Sequence, residues 1–282
     1  MALTKILVTV MTYPTLSDKH FETVCTAGFR EDGSWIRIFP VPYRLLDQFD
    51  KNKYSKWQWI EADIEQNPTH DDRPESYHIK DIDSLKVLDR LDVKGKPDWG
   101  LRKQWVFKNK PLFDNMSEVI DLTKRNQLSL AVLKPTEIID IQIENEDLTK
   151  YQAKLAKIKA TYKASKTQLD LFSNSNEIDF SFQFAEKIPF KFRYVFRSKD
   201  GIVRKLMIED WELGALYKKY QDDNMAVEKV LSKYRALIQR DIFFFLGTSF
   251  QWQKKKSPDP YLIIGVFYPP HEYNSSQLEL EF

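Results

Sequence analysis

Two Asp-Gly pairs, Asp32-Gly33 and Asp200-Gly201, each stand between runs rich in β-branched and aromatic residues. They constrain the fold more than any other feature, because Asp-Gly tolerates the positive φ that a tight hairpin turn requires. Residues 21–29 and 34–39 therefore read as one hairpin, and residues 190–197 and 202–208 as a second. In the second, Phe190, Phe192, Tyr194 and Phe196 fall on one face, while Lys191, Arg193, Val195 and Arg197 fall on the other. That is the two-residue period of a strand with one buried side.

Other strands are legible around these hairpins. Residues 5–11 form an apolar run closed by Tyr13-Pro14-Thr15, and residues 57–64 form another. Residues 129–132 and 137–144 flank Lys134-Pro135, and residues 97–125 are mixed and partly helical in pattern. From Leu148 the spacing turns helical. Leu148, Tyr151, Leu155, Ile158, Tyr162 and Leu169 make one stripe, surrounded by Lys150, Lys154, Lys157, Lys159, Lys163 and Lys166. Ser173-Asn174-Ser175-Asn176 interrupts it. Helices are expected over 210–220 and 223–240, with apolar strands over 242–246 and 261–267. The expected fold class is α+β. A β-rich, barrel-like domain spans 1–148, and a basic amphipathic helix with a linker spans 149–186. A smaller α+β domain over 187–282 contains the hairpin, two helices and closing strands.

The chain has 282 residues, 42% of them hydrophobic, which is enough for substantial cores. The net charge of +2 does not by itself mark a nucleic-acid binder. Residues 1–148 hold 21 Lys/Arg against 25 Asp/Glu, and residues 149–282 hold 22 against 16, so the second half is the more apt to meet an anion. Cys25 is the only cysteine, which excludes an intrachain disulfide and a multi-cysteine zinc site. No apolar run approaches the ~20 residues of a membrane helix, and no leader pattern is present, so a cytoplasmic protein without membrane contact is expected. Phosphate-loop, nucleophile-elbow, dinucleotide and zinc-protease motifs are absent.

Four constellations are candidate sites. On the strand Trp35-Ile36-Arg37-Ile38-Phe39, the residues Trp35, Arg37 and Phe39 share a face, with Arg44 beyond Pro40 and Pro42. An aromatic–arginine–aromatic row can stack bases and hold phosphate. It can equally be a second buried face, with Arg37 paired to Glu22 or Glu61. Lys191, Arg193 and Arg197, extended by Arg204 and Lys205, can contact phosphates along with the lysine helix and Lys254–Lys256, or can be a solvated sheet face. Glu209, Asp210 and Glu212 can bind a divalent metal such as Mg²⁺, or can cap and polarise a helix. Asp71-Asp72-Arg73-Pro74-Glu75-Ser76, near His70 and His78, reads as a surface loop without metal-ligand spacing.

The sequence also resembles an uncharacterised family of prokaryotic proteins. The resemblance rests on Lys5-Ile6-Leu7-Val8-Thr9-Val10 leading to Thr12-Tyr13-Pro14, on Val24-Cys25-Thr26-Ala27-Gly28, on residues 35–40, and on Asp210-Trp211-Glu212. It covers most of the chain and brings no settled activity. It implies a context of phage defence or mobile elements, where nucleic-acid processing is common. Some members carry cysteines and a Gly-His pair in the hairpin before Asp-Trp-Glu. Here that hairpin reads Ser198-Lys199-Asp200-Gly201, so no zinc-held tip is implied.

The expected function is DNA or RNA binding through a basic, aromatic-bearing surface: Trp35, Arg37, Phe39, Arg44, Lys191, Arg193, Arg197 and Arg204. Two other readings stay open. One is a metal-dependent phosphodiesterase using Asp210, Glu212 and Glu209. The other is a protein-binding subunit of a larger assembly, since Tyr, Trp and Arg also dominate protein interfaces.

Overall fold

A computed structural model describes residues 3–46, 53–92, 96–170 and 184–271. Seven strands form the first sheet: β1 (Leu3–Met11), β2 (Thr15–Ser17), β3 (Phe21–Arg30), β4 (Trp35–Pro42), β5 (Gln58–Glu65), β6 (Ser76–Ile79) and β7 (Lys86–Arg90). Five of them close into a barrel in the order β1-β3-β4-β6-β5 and back to β1. Every pairing within it is antiparallel except β4–β6, where Arg37 faces Ser76 and Ile38 faces Tyr77. The first hairpin forms where Asp32-Gly33 requires it, with Gly33 at φ 90°.

Behind the barrel come α1 (Trp99–Phe107), β8 (Leu112–Phe113), α2 (Met116–Lys124), β9 (Leu130–Leu133), β10 (Glu137–Asn145) and α3 (Thr149–Asp170). The chain resumes with β11 (Phe190–Arg197), β12 (Val203–Met207), α4 (Trp211–Tyr217), α5 (Asp223–Leu237), β13 (Phe243–Thr248), α6 (Phe250–Lys254) and β14 (Tyr261–Phe267). These strands make two small sheets, β10-β11-β12 and β14-β13-β9-β8. The molecule is thus an α+β protein: an N-terminal five-stranded barrel and a C-terminal mixed region of helices and two small sheets. Strands β9 and β10, which precede residue 149, pair with β13 and β11 from beyond it, and β8 pairs with β9.

Three apolar clusters explain the layering. Ile6, Val8, Val24, Ile36, Ile38, Ile60 and Ala62 fill the barrel. On its outer wall, Leu7, Val10, Ala27, Phe29 and Trp35 meet Leu130, Val132, Phe243, Phe245, Ile264 and Phe267 of the four-stranded sheet. The opposite face of that sheet, with Leu133, Phe244, Leu246 and Ile263, packs on Phe192, Tyr194 and Phe196 and on α4 and α5. The four-stranded sheet is therefore buried on both sides. That is why β13 and β14 read as unbroken apolar runs rather than alternating ones. No helix among the described residues is long and apolar enough to cross a membrane.

Candidate nucleic-acid interface

The face carrying Trp35 and Arg37 is the barrel wall covered by the four-stranded sheet. Trp35 is buried against Phe29 and Phe245, with ring centroids 4.5 and 5.6 Å away. Arg37 is 2% exposed. Its guanidinium donates to Ser76 Oγ at 3.1 Å, Ser129 Oγ at 2.8 Å and the Ser129 carbonyl at 3.2 Å. Glu75 accepts from the Ser129 amide and hydroxyl, which closes the network. Burial, followed by the charge of Arg73, lowers the Arg37 pKa. Trp35 and Arg37 are thus buried, at 8% and 2% exposure, and pack as core residues rather than lining an open surface; the Arg37 guanidinium takes Ser76 and Ser129 as partners, where Glu22 or Glu61 was expected. Phe39 lies beyond this contact on the same strand and is 40% exposed. Arg44 lies in the 3₁₀ turn Tyr43–Leu46, and its side chain falls outside the described residues.

The basic face of the second hairpin is largely neutralised by register. Antiparallel pairing sets Glu144 opposite Lys191 and Glu137 opposite Arg197. Arg193 pairs with Glu144 at 3.1 Å, Arg197 with Glu137 at 3.3 Å, and Lys191 with Glu146 at 3.6 Å. Lys205 pairs with Glu144 as well. Each exposed pair contributes only about 0–1 kcal/mol to stability, and three carboxylates share these four cations, so most but not all of the positive charge is matched. Arg204 is turned inward, with its side chain 9% exposed, and pairs with Asp200 at 2.7 Å. Lys191, Arg193, Arg197, Arg204 and Lys205 all hold intramolecular carboxylates. In the lysine helix, Lys154 donates to the Leu16 carbonyl at 2.9 Å and Ile158 is buried, while the side chains of Lys163 and Lys166 fall outside the described residues.

Asp210-Trp211-Glu212 fastens the C-terminal region to the barrel. Asp210 caps α4, accepting from the Glu212 amide at 3.2 Å, and bridges Thr12 at the end of β1. Lys56, just before β5, donates to Asp210 at 2.5 Å and lies 3.6 Å from Glu212. Burial works against the Lys56 charge, but Asp210 and Glu212 outweigh it and hold its pKa above the ordinary value. Trp211 packs between Tyr13 and Tyr43. Among the described residues, no group of three or more His, Cys, Asp or Glu side chains is placed to hold a metal ion. Asp210→Ala is expected to remove a helix cap and half of a buried ion pair, costing about 3 kcal/mol. Asp210→Asn should recover the cap but not the pair. Urea unfolding of both variants checks this, and unchanged stability in Asp210→Ala would overturn it.

The barrel keeps one side open. A groove of about 870 Å³ runs between the β1–β3 connection, which supplies Lys19 and His20, and the β5–β6 loop, which supplies Asn67, His70 and Asp71. Its floor is Thr23, Phe39, Pro40, Pro42 and Tyr77, and His78 and Lys80 rise from β6 and its end. Three of the chain's four histidines line it. Arg30 lies over the Tyr77 ring, 4.7 Å from its centroid, and Tyr77 packs against the cluster that fills the barrel. His78 bonds Glu65 at 3.0 Å, and Lys80 lies 3.9 Å from Asp63. Burial and then the Lys19 charge lower the pKa of His20.

The β5–β6 loop is a built wall. Gln66 donates to the Pro74 carbonyl at 2.8 Å, and Arg73 forms a fork with the Asp71 carboxylate. Arg73 also donates to the Thr248 carbonyl at 2.8 Å, and Asn126 to the Asp72 carbonyl at 2.9 Å, which ties the loop to the C-terminal region. The residues at 70–76 and His78 therefore have structural partners as well as a groove to line. Sequence reading missed Lys19, His20, Tyr77 and Lys80. The available signal was Phe39 followed by Pro40 and Pro42, an aromatic in a strand whose next residues include two prolines.

By architecture the chain is an α+β protein whose mixed C-terminal region covers part of the barrel's outer wall and whose barrel carries an open groove beside that contact. It belongs to the family described as domain of unknown function DUF8757, whose model matches residues 112–281, and residues 2–108 match the domain of unknown function DUF8758. No curated protein matches the chain.

Proposed function

We propose that the protein binds single-stranded nucleic acid in the barrel groove. One observation carries this: the exposed Phe39 forms the floor of a groove bounded by the β1–β3 and β5–β6 loops. The barrel order β1-β3-β4-β6-β5, with a parallel third-to-fifth pair, is the strand order of OB-type barrels. Those barrels bind oligonucleotides on the face of their second and third strands, between the first-to-second and fourth-to-fifth loops. Here these are β3 and β4, and the two loops that frame the groove. Phe39 supplies a flat apolar platform, and Lys19, His20 and His70 supply donors for phosphate. Stacking is worth roughly 1–3 kcal/mol per base and is indifferent to base identity.

The test is fluorescence anisotropy with labelled oligo-dT and oligo-U strands. Phe39→Ala should weaken binding about 5- to 100-fold without altering the melting temperature, because the ring is exposed. Binding should also fall steeply with salt. Failure to bind any single strand, or an affinity indifferent to Phe39, overturns the reading.

A further inference from the structure

Beyond the barrel groove, a second groove of about 710 Å³ opens on the other side of the β5–β6 loop. The two share His70, which lines both. The far groove has an aromatic floor in Phe250 and a cationic rim in Lys124, Lys254 and Lys256. Lys254 lies 5.8 Å from the Phe250 ring centroid, and Arg73 covers the same ring at 5.3 Å. Lys254 and Lys256 have no ion pair with a carboxylate among the described residues, unlike the lysines and arginines of the second hairpin. Two acids bear on the patch: Asp72 in the lining, and Asp121, which pairs with Lys124 at 3.2 Å.

We infer that a strand seated in the barrel groove continues past His70 into this second groove, so that the C-terminal region supplies a phosphate-binding extension of the site. The inference rests on the proposed function, and charge complementarity and continuity carry it. Lys254 and Lys256 beside Phe250 set cations next to an aromatic, as Lys19 and Phe39 do in the first groove, on the far side of a shared residue. The loop between them is tied to both regions through Arg73 and Asn126, so the two grooves keep a fixed relation. The strand is single, because the first groove offers an exposed stacking ring, Phe39, that paired bases cannot reach.

The experiment measures affinity against strand length, with oligo-dT and oligo-U of about 4 to about 16 nucleotides, the range of site sizes known for one such barrel. Wild-type protein should bind the longest strands at least about tenfold more tightly than the shortest. The double variant Lys254→Glu, Lys256→Glu should lose that gain and keep the short-strand affinity within about twofold. Its salt slope on long strands should also fall by about 1.4, at ~0.7 for each phosphate no longer neutralised. Short strands that bind as tightly as long ones overturn the extension and leave the barrel site standing. A double variant that keeps the full length dependence does the same. A protein that binds no strand of any length overturns both. Duplex of equal length competing as well as single strand also counts against the extension.

Discussion

Arg37→Met is expected to destabilise the protein by about 4 kcal/mol, the cost of breaking one partner out of a buried charged network. The guanidinium bridges Ser76 on β6 and Ser129 ahead of β9, so it ties the barrel's parallel closing pair to the sheet that covers it. Methionine keeps the stem and loses all three donors. Ser76 Oγ and the Ser129 carbonyl would then be buried with fewer partners, while Glu75 would still hold the Ser129 amide and hydroxyl. Arg37→Lys should recover little, because one ammonium cannot reproduce a planar fork that reaches two residues. Guanidinium unfolding at neutral pH measures the loss. The folded fraction of Arg37→Met should bind strands as the wild type does. A variant of native stability with weakened binding would overturn the assignment of Arg37 to the core.

That contrast shows what the sequence could convey. Alternation correctly put Trp35, Arg37 and Phe39 on one face, because strand geometry is local. What covers that face is not local. Ser129 lies 92 residues away from Arg37, and Phe245, which packs on Trp35, is further still. One row of side chains is therefore split by a distant sheet edge into two buried residues and one exposed aromatic. The same holds for the second hairpin. Its cationic face was legible, but how far that charge is matched depends on the register of β10, which places Glu137 and Glu144 opposite arginine and lysine. The helix at Asp210-Trp211-Glu212 was legible from its cap. The partner that occupies its carboxylates, Lys56, lies on the far side of the barrel junction. The groove was least legible, because its lining comes from four separate segments, around residues 17–23, 39–42, 67–71 and 76–82, none of which marks a site by itself. Both Asp-Gly turns, by contrast, are set by neighbouring residues alone, and both formed, with Gly201 at φ 74°.

The second hairpin's tip leads to the other large effect. Asp200→Ala should cost about 3–5 kcal/mol. The Asp200 side chain is 8% exposed and serves three elements. It accepts from Ser198 Oγ at 2.8 Å and the Ile202 amide at 3.1 Å, which closes the turn. It accepts from the Ser117 amide at 3.0 Å and hydroxyl at 2.6 Å, which caps the start of α2. It also neutralises Arg204, which alanine would leave inward-facing with the Ser117 hydroxyl at 2.9 Å and, as its remaining carboxylate, Asp259 at 4.0 Å. Burial of the carboxyl raises its pKa, but the bonds from Ser117, Ser198 and Ile202, with Arg204, outweigh burial and hold it far below the ordinary carboxylate value. The sign of the pH dependence follows. The unfolded chain protonates Asp200 near pH 4 while the folded protein does not. Unfolding therefore takes up a proton in that window, and stability falls as pH drops below about 4. Above about pH 5 the contribution is complete and flat. Urea unfolding between pH 7 and pH 3 should show a shallower acid decline for Asp200→Asn than for wild type, from a lower starting stability. Parallel curves for the two proteins would show that Asp200 does not carry the acid sensitivity, and that the turn is held by its backbone alone.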